Sequence, residues 1–150
     1  MATSWDDYKK TMILPVTLQS AAKENDVATL ARLLAEGADL NAKDHRGYSA
    51  LMLAAYSDST AAFDFLMARG GDVHSRDTGG NTILMGASFK GHVEIVRKLL
   101  AAGADPVAKN DKGIDAAAVA AMFGRQDVVA LLHLPVPAHT LFPHRQHQGK

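Results

Sequence analysis

The sequence predicts an all-α solenoid, a stack of four helix-turn-helix units joined by short hairpin-like turns. Three observations carry that prediction: a 33-residue period, apolar residues at helical spacing inside each period, and Gly-rich turn chemistry between periods. Gly37, Gly70 and Gly103 are 33 residues apart, and the same step relates Asp39, Asp72 and Asp105; Ala21, Ala54, Ala87 and Ala120; Leu33, Leu66, Leu99 and Leu132; and Gly47, Gly80 and Gly113. Laying residues 44–76 over 77–109 needs no gap and matches nine positions.

In chain order, residues 1–16 form an expected N-terminal capping segment, in which Trp5, Tyr8 and Met12 to Leu14 would cover the open face of the first unit. The repeat domain is expected over 17–134, divided as 17–43, 44–76, 77–109 and 110–134. The third unit is the clearest. Asp77-Thr78-Gly79-Gly80 has turn chemistry, and a first helix follows from about Thr82 to Lys90. Gly91 breaks it. A second helix runs from His92 to Ala102, its Val93, Ile95, Val96, Leu99 and Leu100 near the i, i+3, i+4, i+7 spacing of a buried face, and Gly103 is placed to stop it in the left-handed conformation. In the second unit, Asp58 is expected to visit that conformation in the link, with Ser59 or Thr60 capping the next helix. Residues 135–150, interrupted by Pro135, Pro137 and Pro143, are expected to be a flexible tail.

The stretch from Asp77 to Asp105, DTGGNTILMGASFKGHVEIVRKLLAAGAD, resembles the ankyrin repeat. The resemblance covers about Thr17 to Leu134. It departs from the family pattern where Met52 and Met85 replace its His, and where Ala50 and Ile83 replace its Pro. Gly86, inside a first helix, suggests close approach of the neighbouring repeat.

Composition excludes several function classes. With 16 basic and 16 acidic residues the formal net charge is zero, so no whole-molecule field favours nucleic acid or an anionic membrane. The absence of Cys removes disulfides, thiolate nucleophiles and Cys-ligated metals. No apolar run approaches the roughly 18 residues that span a bilayer. The N-terminus lacks the basic start of a secretory signal, which suggests a cytoplasmic protein, or a periplasmic one if a signal was removed.

Asp77-Thr78-Gly79 also spells the triplet of aspartic proteases, but Asp77 occupies the repeat position of Asp44 and Asn110, and its flanks have helical rather than strand period. Gly79-Gly80 lacks the Lys-Ser/Thr of a phosphate loop. His92 falls where the family braces its helix link. His45 and His74 lie in turns without paired carboxylates, and His139, His144 and His147 form a loose tract in the tail. An enzyme or metal-binding protein using these dispersed histidines is the alternative reading; no catalytic residue, metal or cofactor is expected.

The resemblance implies a non-catalytic protein-binding module, an adaptor or inhibitor that is monomeric and grips a globular partner through the concave face and hairpin tips. In that register the binding residues are Arg46, Tyr48, Tyr56, Arg76, Asn81, Phe89, Lys90, Lys109, Lys112, Ile114 and Phe123. Lys43, His45, Ser57, Thr78, Asp111 and Met122 fall on the same strip. Tyr56, Phe89 and Met122 share one repeat position, so they would otherwise pack between neighbouring repeats.

Overall fold

The computed structural model describes residues 16–133, so the capping segment before residue 16 and the tail beyond residue 133 lie outside it. Eight helices are present among these residues, in four pairs: α1 (Leu18–Lys23) with α2 (Val27–Ala35), α3 (Ala50–Tyr56) with α4 (Thr60–Ala68), α5 (Ile83–Lys90) with α6 (Val93–Ala101), and α7 (Ala116–Met122) with α8 (Gln126–Leu132). The first helices pack in one continuous row, α1 on α3, α3 on α5 and α5 on α7, while α2 packs on α4 and α6 on α8.

Each first helix starts in the same way. The side chains of Thr17, Ser49, Thr82 and Asp115 accept a hydrogen bond from the backbone N–H three residues on, satisfying one of the four donors that a helix start leaves unpaired. Each pair is then closed by one left-handed residue, Asn25 (φ 59°), Asp58 (φ 55°), Gly91 (φ 77°) or Gly124 (φ 71°), again 33 residues apart. Asn and Asp tolerate this region better than other side chains, which is how Asp58 substitutes for glycine. The next N–H, on Asp26, Ser59, His92 or Arg125, donates to the carbonyl of Ala21, Ala54, Ala87 or Ala120. Those four alanines are at most 3% exposed, so the period in Ala marks a place with no room for more.

Second helices are the stems. Leu66 and Leu99 are fully buried and their carbonyls accept the N–H of Gly71 and Ala104. Leu33 is only partly covered in the first pair, as is Leu132 in the last. Met52 and Met85 are buried despite replacing the family's His.

Two local expectations change. Ser59 holds the cap position of α4, yet its hydroxyl donates to the Lys23 carbonyl (3.1 Å). The N-terminus of α4 is capped from the preceding repeat, by Asn25 Oδ1 accepting from the Ala62 N–H (2.9 Å). At Gly86 a Cβ would meet Tyr56 Cδ1 at 3.5 Å, an ordinary contact, so no close approach requires glycine there.

Ser88 is fully buried in α5, and its Oγ has no partner among the described residues. Its repeat equivalents are Ala22, Ala55 and Ala121. Ser88→Ala is therefore expected to raise stability by about 1 kcal/mol, read as a higher urea midpoint at unchanged slope, because an unmade buried hydrogen bond is removed. Leu99→Ala should do the opposite, losing about 2 to 5 kcal/mol through the cavity left at the centre of the stack; a loss below about 1 kcal/mol would contradict its burial.

Candidate functional site: the turn row and the adjoining groove

The turns between repeats are built on one device. Asp44 Oδ1 accepts the N–H groups of Arg46 and Tyr48, Asp77 Oδ1 those of Gly79 and Asn81, and Asn110 Oδ1 those of Lys112 and Ile114, each at 2.9–3.0 Å. The Asp77 carboxylate is thus a turn brace, which accounts for the protease-like triplet. Residues 47, 80 and 113 then take positive φ. At Gly47 a Cβ would also sit 2.7 Å from the Thr78 nitrogen, because the next turn lies directly against it.

Neighbouring turns are stitched together. Thr78 N–H donates to the Arg46 carbonyl and Asp111 N–H to that of Gly79, both at 3.1 Å. Lys43 Nζ donates to the Arg76 carbonyl (2.8 Å), and Arg76 Nη1 donates in turn to the carbonyls of Lys109 (2.7 Å) and Gly80 (3.0 Å). Asn81 accepts from Asn110 Nδ2 (2.8 Å) and donates to Asp77 (3.1 Å). Two residues expected at the binding surface, Arg76 and Asn81, therefore also hold the row in place.

Beside the turns runs a groove of about 460 Å³, and it brings together Arg46, Tyr48, Tyr56, Asn81 and Phe89 from the expected set. Its floor includes Met52, Met85 and Gly86. The Tyr56 and Phe89 rings stack at 6.1 Å between centroids and 9° between planes, and Phe123 meets Phe89 edge-on at 4.5 Å. These rings do pack between repeats, but Tyr56 remains 41% exposed, Phe123 49% and Met122 65%. The Arg46 guanidinium lies 4.5 Å from the Tyr48 ring centroid, and Lys90 Nζ lies 5.2 Å from that of Tyr56. Lys109, Lys112 and Ile114 sit on the last turn, outside the groove lining. Lys23, which sequence reasoning passed over, lines the groove. The signal was available, since Lys23 is one period before Tyr56.

The histidines fall elsewhere. His92 Nε2 is 3.0 Å from the Tyr56 carbonyl and Nδ1 is 3.9 Å from Asp58, so His92 braces the helix link. His45 and His74 are exposed. Among the described residues no group of three His, Cys, Asp or Glu is placed to hold a metal, and no helix is long and apolar enough to cross a membrane.

At Asp44 partial burial favours the neutral acid. The N–H groups of Tyr48 and Arg46 and the Arg46 charge outweigh it and hold the carboxyl below its ordinary value of 3.8. A lowered folded-state value contributes stability that is present above the ordinary value and is lost as pH falls through the lowered one. Asp44→Asn keeps the acceptor, as Asn110 shows in the last turn. Between about pH 7 and pH 3 the variant should thus lose less stability than the wild type, measured as the change in urea midpoint.

A family model described as ankyrin repeats (three copies) matches residues 18–110. Over 38 residues the chain is 53% identical to a Bos taurus protein described as a mitochondrial disaggregase; the match covers 25% of this chain and spans only 6% of that protein.

Proposed function

Because the chain belongs to the ankyrin repeat family, whose repeats are generally non-catalytic protein-interaction modules, we propose that it is an adaptor or inhibitor that binds one globular partner through the turn row and the groove beside it. The observation that carries this reading is the run of part-exposed rings in contact from Tyr56 through Phe89 to Phe123, with Tyr48 lining the same groove as Tyr56 and Phe89, and with Arg46 and Lys90 laid over Tyr48 and Tyr56. Aromatic and Arg side chains of this kind supply most of the energy of protein interfaces. The turns are already locked by hydrogen bonds from repeat to repeat, so little conformational entropy is lost when a partner docks. Successive turns are about 10 Å apart, the thickness of a packed helical layer. Three turns with the adjoining helices offer on the order of 800 Å² to a partner, a standard-sized interface.

Arg46→Ala combined with Tyr48→Ala should weaken the complex with the native partner by at least about 2 kcal/mol in calorimetry, with the melting midpoint within a few degrees of wild type. Glu94→Ala with Lys98→Ala, on the second-helix face, should leave binding intact. Its structural costs are two exposed pairs, Lys98–Asp64 (2.8 Å) and Arg97–Glu94 (3.2 Å), each worth less than about 1 kcal/mol. The reverse pattern would move the binding surface to the second helices.

A further inference from the structure

The zero net charge hides a segregation. Lys23 and Arg46 line the groove, Lys90 Nζ lies over the ring of the groove residue Tyr56, and Lys43, Lys109 and Lys112 lie on the turn row beside it. Acids share that face, but Asp44 and Asp77 turn Oδ1 inward onto two turn N–H groups each. Much of the compensating negative charge sits behind, with Asp64, Glu94 and Asp127 on second helices and Asp39, Asp72 and Asp105 in the loops that leave them. A partner arriving at the groove therefore meets aromatic surface framed by cations.

We propose that the groove seats an extended, acidic segment of the partner protein, with one aromatic or branched apolar side chain lodged between Tyr48, Tyr56 and Phe89 and flanking carboxylates on Arg46, Lys23 and Lys90. The proposal rests on the concave-face reading above. A groove of about 460 Å³ has room for one large side chain and a stretch of backbone. Arg46 is suited to a carboxylate: its side chain is 57% exposed and its contact with Asp44 is long at 3.5 Å, leaving most of its five donors facing outward. Lys90 offers a point charge above the Tyr56 ring.

A single-stranded nucleic acid is the competing polyanion, and the geometry favours it less. Along the turns each cation stands beside an acid, Lys43 and Arg46 by Asp44, Arg76 by Asp77, Lys109 and Lys112 by Asp111. Lys43 Nζ and Arg76 Nη1 are moreover engaged on backbone carbonyls. A phosphodiester track needs an uninterrupted run of free cations, whereas a short acidic segment needs only the three around the groove.

The test is fluorescence anisotropy with labelled peptides of roughly eight residues, long enough at about 3.3 Å each to cross three turns. Four probes are compared: a central Tyr with Glu flanks, the same with Lys flanks, a central Ala with Glu flanks, and an oligothymidylate of matching length. The Glu-flanked Tyr peptide should bind best. Its Kd should rise by about tenfold or more with Arg46→Glu plus Lys90→Glu, and by a similar factor between about 50 and 300 mM salt. The milder pair Arg46→Gln plus Lys90→Gln should move Kd in the same direction at unchanged melting midpoint. The acidic-segment proposal is overturned if the Lys-flanked peptide binds equally, if no peptide binds, or if the oligothymidylate binds more tightly. Tyr56→Ala plus Phe89→Ala separates the two levels of the argument. If it weakens the native complex while charge reversal does not, the groove remains the interface and its acidic occupant is wrong; if neither does, the concave-face reading fails as well.

Discussion

A pair of helices six to nine residues long cannot hide its own apolar stripe, and the rest of the structure follows from that deficit. Alone, α5 and α6 would leave Ile83, Leu84, Ile95 and Leu99 in water on at least one side. Stacked between neighbours, all four are essentially fully buried. At roughly 1.5 to 3 kcal/mol for each large apolar side chain buried, stacking rather than helix propensity holds these short helices together. The small alanines at 21, 54, 87 and 120 let the links fold back without opening a gap in the row of first helices.

Apolar stacking alone does not choose a register, and polar ladders do. At the rear, Ser59 Oγ, His92 Nε2 and Arg125 Nε each lie 2.9–3.1 Å from a carbonyl 36 residues earlier, on Lys23, Tyr56 and Phe89. Three different side chains meet one geometric demand, the end of a first helix whose carbonyls have run out of intrahelical partners. At the front, Lys43 and Arg76 reach the other way, to carbonyls 33 residues later. The first two interfaces between repeats are therefore tied by donors from both sides, and the last by Arg125, Asn110 and the Asp111 N–H, all donating back to the third repeat. The aromatic line owes its rigidity to this, because the carbonyls of Tyr56 and Phe89 are themselves held in the rear ladder.

The features read from the sequence are those that repeat with the period or act within four residues: the left-handed link at Asp58, the helix break at Gly91, the periodic Leu66 and Leu99, and the bracing role of His92. What escaped is long-range and chemically varied. Asn25 caps α4 from the repeat before, so no local pattern around Ala62 announces it. Arg76 reads as a free surface cation until the turn at Lys109 is placed beside it, and Asn81 reads as free until Asn110 is. Lys23 was hidden by its chemistry, since a lysine does not look like a member of the Tyr56 and Phe89 series until the groove shows them lining one surface.

The opposed ladders also govern how such a chain can change its length. A residue added or removed within a repeat would shift caps, link, turn brace and both sets of reaching donors at once, each relative to a partner 33 or 36 positions away. Growth or loss is therefore quantised: the natural unit of variation is a whole 33-residue block, which brings its own donors and accepts those of its neighbours. Each added block would also extend the groove by one ring position and one turn, so that the reach of the surface and the length of the gene segment are coupled in discrete steps.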